Sequence, residues 1–359
     1  MSLLHSARFS ANLVVKPTRS LLAQGAQARR WNSTVAPNTT KDAQLKRSYL
    51  YVPATSEKML HKSTQSNSDV IIYDLEDSVP PSKADKSAAR HRLVSFIRNT
   101  SNAVLPRPAR VGVRVNGLGT EFFHQDILQL TMGPNVRTVL MPKIHSASDL
   151  DAVSNEIHLS RMGRVRDSPE CNLNIIASIE SAQGLWNVGE IAAWQSKHGA
   201  SLGGRLSALL FAAEDYCADT SIIRTQSRQE LLYARSRIVN AAKAFGLQAI
   251  DMVCVNYKDL DYLREECEDG RRLGFNGKQA IHPSQVDIIQ STYVPTEKEI
   301  LRAAKILHQM SLAHSAERGA VGIELEGGGK EMVDAPMLKQ AINTINIAKA
   351  AGLKIPEVA

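Results

Sequence analysis

Three apolar runs in this 359-residue chain end in acids, and that pattern is where chemistry could sit. "VIIYDLED" runs straight from four strand-forming residues into Asp74, Glu76 and Asp77, "NLNIIASIE" ends in Glu180, and "LSALLFAAED" ends in Glu214 and Asp215. Carboxylates aimed from the end of a core strand suit acid–base work or a hard cation. Two oxygen ligands with the remaining positions open to water and substrate suit Mg²⁺, and Glu180 with Asp215 would supply them. No His/Cys cluster offers a softer metal an alternative. Asp215 has a plainer reading as the N-cap of "YCADTS". Arg114, ending "VRVN", could grip a carboxylate with both arms or offset charge on an enolate oxygen, and an ion pair with Glu76 or Asp77 is its plainer reading. Tyr51, Lys143, Asn256 and Gln279 occupy comparable ends. His282 in "IHPSQ" reads either as a general base or as a helix-entry residue before Pro283.

These groups share a site only if the fold gathers them. Eight apolar, β-branched runs recur: 48–54, 69–77, 109–116, 137–144, 172–180, 206–215, 247–256 and 275–283. Their ends lie 23 to 41 residues apart, room for a strand, a loop and a helix each time. Several are apolar at consecutive positions, as parallel strands covered on both faces require. Residues 229–245, followed by Gly246, and 83–98, after "PPSK", read as amphipathic helices. Eight such units predict a (β/α)8 TIM barrel over 48–290 with a C-terminal helical extension over 291–359. An open doubly wound sheet is the alternative, weakened because no G-x-G-x-x-G follows the first strand. In a barrel the active groups cluster at the C-terminal ends of the strands. Glu180 and Asp215 would then end neighbouring strands about 4.8 Å apart, within reach of one small cation.

The net charge of +7 suggests nucleic acid until its location is checked. Residues 1–31 hold Arg8, Lys16, Arg19, Arg29 and Arg30 and no acid, and without them the balance is 38 basic to 36 acidic. That leader has the composition of a mitochondrial transit peptide, so a matrix location is expected, with 32–47 a polar linker. With the remainder near neutral and aromatics at 5%, no nucleic-acid partner is expected. No run of eighteen apolar residues occurs, so no membrane-spanning helix is expected. Four scattered cysteines without a CxxC pair read as reduced and structural. "ELEGGGKE" is not a phosphate loop.

The stretches "YLYVPATSEKMLHK", "DVIIYDLEDSV", "VRVN", "MPKI", "IASIESAQGL", "FAAEDY" and "GFNGKQAIHPSQ", in this order, resemble the CitE-like branch of the HpcH/HpaI aldolase superfamily, over residues 48–350. The resemblance implies a (β/α)8 barrel with Mg²⁺ on Glu180 and Asp215. It implies an acyl-CoA substrate met by Tyr51, Lys58, Lys62, Arg114 and the Ile281–His282 backbone. It also points to Asp334 in "MVDAPMLKQA" as a catalytic aspartate serving a neighbouring subunit's barrel, hence a homotrimer with shared sites. From the residues alone, Asp334 reads as the N-terminal carboxylate of the last helix. Glu76, Asp77 and Lys143 become supporting groups that orient Arg114 and water beside the metal. The expected reaction is carbon–carbon cleavage of a 3-hydroxyacyl-CoA, citramalyl-CoA giving acetyl-CoA and pyruvate. The alternatives are malate synthase-like condensation, malyl-CoA thioester hydrolysis, or a non-catalytic acyl-binding subunit of a citrate lyase-type complex. Ala54, Ala212 and Ala213 depart from the family's glycines and leave the acyl group open.

Within the extension, "LEGGGKE" reads as a flexible connection. "APMLKQAINTINIAKAAG" reads as a helix with Leu338, Ile342, Ile345 and Ala348 on one side. An isolated helix of that length is marginal in water, so it needs a surface, for which a next subunit is the expected one.

Overall fold

The computed structural model describes residues 45–131, 133–164, 171–315, 321–324 and 330–358. The leader, most of the linker and the glycines of "LEGGGKE" lie outside these described residues.

Each of the eight apolar runs supplies one strand. They are β1 (Ser48–Pro53), β2 (Val70–Asp74), β3 (Val111–Arg114), β4 (Thr138–Met141), β5 (Asn174–Ile179), β6 (Arg205–Phe211), β7 (Gln248–Asp251) and β8 (Gly277–Ala280). All pair in parallel in chain order, and β8 returns to β1, so the sheet closes into a barrel with helices between its strands. The (β/α)8 expectation is borne out and the open sheet is not.

Alternation along each strand divides its side chains between two cores. Tyr49, Val70, Ile72, Leu140, Ile176, Ala208, Leu210 and Ile250 fill the barrel interior. Their chain neighbours, such as Leu50, Ile71, Tyr73, Val139 and Leu209, pack outward in the larger cluster with the helices. The interior is tight at Gly112, where an added Cβ would lie 2.6 Å from Ile72 Cδ1. The helix Lys83–Asn99 begins at Ser82, whose side chain accepts the Asp85 N–H, and buries Ala89, Leu93, Phe96 and Ile97. The second predicted helix is Leu232–Ala244, entered through a 3-10 turn at Gln229–Leu231.

The outer wall near β7 and β8 also buries charge. Lys278 Nζ lies 3.0 Å from Glu266 Oε2, with neither side chain exposed at all. Beside it Arg235 meets Asp251 at 2.8 Å and Asp269 at 2.6 Å. All four cysteines are free thiols.

Beyond the barrel, the helices Glu297–Ser315 and Ala335–Ala350 pack on one another, joined by the antiparallel strands β9 (Val321–Glu324) and β10 (Lys330–Val333). Ile300, Ala303, Ile306, Met310, Val333, Ala341, Ile345 and Ala348 form a core of their own. Two expectations need correction here. The last helix finds its surface within its own chain. Its buried stripe runs through Ala341, Ile345 and Ala348, while Ile342 is 43% exposed. At 100° per residue Ile342 falls about 90° from the centre of that stripe, with Ala341 on the side that is covered. The pair β9 and β10 was not foreseen at all. Between this unit and the barrel's last helix, Val286–Thr292, runs a cavity of about 820 Å³ lined by Arg47, Gln290, Pro295, Ile300 and Leu353.

Candidate active site

Period-two alternation carries Val70 and Ile72 inward on β2 and makes Asp74 the next inward residue. Register sets Arg114 of β3 directly opposite it. The guanidinium grips Asp74 with both arms, Nε to Oδ1 at 2.7 Å and Nη2 to Oδ2 at 2.8 Å. Burial works against charge on Asp74, but the Arg114 bonds outweigh it and hold its carboxyl below the usual range. Asp74 also accepts the N–H groups of Glu76 at 3.0 Å and Ser78 at 3.1 Å, shaping the loop after β2. From below, the buried Lys86 donates to the carbonyls of Leu75 at 2.9 Å and Glu76 at 2.7 Å.

The free arm of Arg114 reaches Asp77 at 3.0 Å and Glu76 at 3.2 Å, and its guanidinium lies 5.0 Å from the centre of the Tyr51 ring. Tyr51 donates to Gln279 Oε1 at 2.9 Å, and Gln279 donates to the carbonyls of Phe211 and Asp251, so β1, β6, β7 and β8 are tied across the mouth. Lys143 approaches Glu76 at 3.4 Å. Even so, burial dominates at Glu76, helped by Asp77 and Glu180, and its carboxyl is pushed up to about 7.

Glu180 follows β5, 7% exposed, accepting from Ser178 Oγ at 2.6 Å and from the Lys143 N–H at 3.0 Å. Lys143 holds a left-handed backbone, φ +56°, a conformation uncommon for a residue with a Cβ, and it donates that amide to Glu180. Asp215 lies in the first turn of the helix Ala213–Thr220. Burial raises the Glu180 carboxyl, and partial desolvation raises that of Asp215, which is exposed; Asp215 adds to the shift of Glu180, and Asp77 to that of Asp215. Two hard oxygen donors whose charged forms are disfavoured fit a small divalent cation, which would reverse the penalty. Among the described residues no group of three or more His, Cys, Asp or Glu forms a ready-made cage. A cation here would therefore keep positions for water and substrate, as Mg²⁺ does.

A cavity of about 350 Å³ opens over this mouth. Tyr51, Asp77, Arg114, Asp215 and Ile281 line it, together with Asp74, Glu214, Val253 and Gln279. Ala212 and Ala213 line it too, so their methyls face the space a substrate would use. Other expected residues stand apart from that lining. Lys58 and Lys62 are exposed on the helix Glu57–Ser63 that follows β1. His282 caps the 3-10 turn Pro283–Gln285, with Nδ1 2.7 Å from Ser284 Oγ and its ring stacked on Tyr257. Asp334 is exposed at the N-cap of the last helix, accepting the Met337 N–H at 3.3 Å. The plainer readings of His282 and Asp334 therefore describe what these side chains do within one chain.

Asp74 was visible in the sequence but drew no role, because attention went to Glu76 and Asp77 beyond it. The in-out alternation of "VIIYD" against "VGVR" was the signal. Lys86 and Ser178 left no comparable trace.

A profile of the family described as HpcH/HpaI aldolase/citrate lyase matches residues 47–283. The chain belongs to that family. It is 31% identical over 306 residues to the mitochondrial citramalyl-CoA lyase of Homo sapiens, covering 84% of this chain and 85% of that one. It is 34% identical over 302 residues to a citrate lyase subunit beta-like protein of Deinococcus radiodurans, covering 83% and 95%. Among solved structures it resembles CitE of Mycobacterium tuberculosis in complex with magnesium, acetoacetate and coenzyme A. That likeness has a TM-score of 0.63 and 29% identity, over 86% of this chain and 98% of that one.

Proposed function

We propose that this protein is a Mg²⁺-dependent carbon–carbon lyase acting on a 3-hydroxyacyl-CoA, with citramalyl-CoA cleaved to acetyl-CoA and pyruvate. The observation that carries it is the meeting, at the barrel mouth, of two carboxylates whose charged forms are disfavoured with a fixed guanidinium: Asp215 and Arg114 line the cavity, and Glu180 stands at the end of β5 beside them. The similarity to CitE solved with magnesium, acetoacetate and coenzyme A supports a magnesium ion and a CoA ester as what this mouth would take. Bound there, Mg²⁺ would supply Lewis acidity toward the substrate's hydroxyl and carboxylate oxygens.

The chain's own groups then have definite tasks. Loss of the hydroxyl proton lets its oxygen become the keto group of pyruvate as the adjacent carbon–carbon bond breaks. The bonding pair passes to acetyl-CoA as an enolate, which takes one proton to finish. Arg114, clamped by Asp74, offsets the enolate charge without reorganising. Glu76, Asp77 and Lys143 keep the guanidinium aimed. Tyr51, Lys58, Lys62 and the Ile281–His282 backbone receive the CoA portion, the lysines as mobile charges toward its phosphates. Asp334, exposed on its own chain, exchanges the proton in a neighbouring subunit's barrel, in a homotrimer. The acid-free leader is read as directing import to the mitochondrial matrix and being removed near residue 31; an organellar protein that still begins at Met1 would refute this.

The first test assays protein lacking residues 1–31 against citramalyl-, malyl- and citryl-CoA, with and without Mg²⁺. Cleavage of none of them, with condensation or thioester hydrolysis instead, would replace the lyase reading. The second concerns sharing. Asp334→Asn should bind acyl-CoA normally and lose about 10²–10⁴-fold in turnover. Mixing it with Glu180→Ala protein should restore activity, because a mixed oligomer assembles one intact site from two damaged chains. Verified hybrids that recover nothing would overturn sharing and leave Asp334 to serve its own barrel or only to cap its helix.

A further inference from the structure

The helix that carries Asp215 is poorly equipped to hold itself. It spans only Ala213–Thr220, and Ala212 at its N-cap offers no side-chain hydrogen bond. Helices this short, without a cap, depend on outside contacts. Its far end is tied to the segment after Glu180, where Asp219 accepts the Ala182 N–H at 2.7 Å. Its near end, where Asp215 sits, follows directly on β6, with the Ala212 N–H donating to the Ile179 carbonyl at 3.2 Å and Ala213 buried, and its acidic first turn is gripped by one cationic residue from the loop that follows.

That residue is Arg224, 11% exposed. Its Nη1 pairs with Glu214, the neighbour of Asp215 in the first turn. Its Nη2 donates to the carbonyl of Val253, which lines the cavity, at 3.1 Å, and to Glu266 at 2.9 Å. Glu266 is fully buried and locked from behind by Lys278 of β8. An ion-pair chain, Lys278–Glu266–Arg224–Glu214, thus runs from the barrel wall to the edge of the site. Only a planar fork can meet three acceptors in these directions at once.

We propose that Arg224 is the positioning residue of the divalent-cation site, transmitting the rigidity of the barrel wall to Asp215 through Glu214. This rests on the cation reading of Glu180 and Asp215, and it assigns Arg224 no contact with substrate.

The sign of one measurement decides it. Arg224 carries a positive charge near the site, so removing it should by Coulomb's law tighten cation binding. Loss of positioning should weaken it, by roughly the 10–100-fold typical of groups that orient metal ligands. The experiment measures Mn²⁺ dissociation constants by electron paramagnetic resonance on the metal-stripped full chain, with Tm recorded in chelator. Arg224→Gln, which leaves Glu266 paired with Lys278, is expected to bind Mn²⁺ about 10–100-fold more weakly. Arg224→Lys keeps the charge and should fall between that variant and the wild type. A folded Arg224→Gln that binds Mn²⁺ as tightly as wild type, or more tightly, overturns the proposal. If Arg224→Gln does not fold, undiminished affinity in Arg224→Lys overturns it instead. A wild-type chain that binds Mn²⁺ but cleaves no CoA ester removes the proposed reaction and leaves Arg224 its role. A wild-type chain that binds no Mn²⁺ removes both.

Discussion

Two sets of buried charge sit in the same barrel and behave in opposite ways. At the mouth, burial holds Glu76 and Glu180 above the usual carboxylate range, and Asp215, though exposed, is raised as well. In the wall, burial also opposes Glu266, but Lys278 and Arg224 outweigh it and hold the group down to about 2. Measured from 4.5, Glu76 and Glu266 move by similar amounts in opposite directions, roughly 3 kcal/mol each. The wall set is closed, because each acid has a cation and no room for another. The mouth set is open, because Arg114 is divided among Asp74, Glu76 and Asp77, and with Lys143 it does not outweigh desolvation at Glu76, Glu180 and Asp215. Burial alone does not distinguish a working carboxylate from a structural one, but the balance of partners around it does.

The largest effect should come from cutting into the open set. Asp215→Ala should lose turnover on the order of 10³–10⁵-fold, the loss of several kcal/mol of metal stabilisation. Its Tm in chelator should hold or rise, since a like charge is removed from Glu180. Undiminished turnover with chelator present would sink the cation assignment.

The closed set should respond in the reverse sense. Lys278→Met leaves Glu266 buried with only Arg224 beside it and should cost about 3–5 kcal/mol in denaturant unfolding. Replacing Glu266 as well with an apolar residue should recover much of that. A double variant as unstable as the single one would show that packing, and not the ion pair, sets the cost.

pH sharpens the contrast. Glu76 has a folded value raised to about 7, so between about 4.5 and 7 the folded state binds more protons than the unfolded one. Its contribution therefore costs stability as pH rises through that window, by roughly 3 kcal/mol in all. Glu266 has a depressed folded value. Its contribution is complete above the unfolded value and is lost only as pH falls through about 2. In metal-free protein, Glu76→Gln should gain on wild type between pH 5 and pH 8, while Glu266→Gln should trail it by a constant margin. Parallel pH profiles for Glu76→Gln and wild type would contradict the open-set reading.

The smallest effect should come from Asp77→Asn. Its side chain is 62% exposed, so its pairing with Arg114 is screened. Unfolding free energy should change by less than about 1 kcal/mol.

The fold was legible because each strand announces itself locally through its apolar run, and helices do so through starts such as "PPSK", where Ser82 caps the helix Lys83–Asn99. The count of eight pointed to a barrel, and the pairing of β8 with β1 is what excludes the open sheet. The site was legible only at its rim. Glu180, Asp215 and Arg114 could be named because they end apolar runs, although Asp215 lies in the first turn of the helix after β6, whereas the groups that hold them come from elsewhere in the chain. Lys86 serves the β2 loop from a helix, and Ser178 reaches Glu180 from within β5. Lys143 acts partly through a left-handed amide that no residue type advertises. The role of Asp334 came from family likeness alone, since within one chain it is a helix cap. Ile342 was misplaced because a helical stripe can be drawn two ways until its partner surface is known.

The C-terminal unit keeps its apolar contacts to itself, and a seam cavity separates it from the barrel's last helix. Few side chains are therefore shared between the two, and neither must be repacked when the other changes. Amide hydrogen exchange should resolve two cooperative units, with the helix pair opening before the barrel. The same arrangement leaves the core of the extension free to change without repacking the barrel, so that the constraint on this unit falls on where it carries Asp334 and not on how its helices pack.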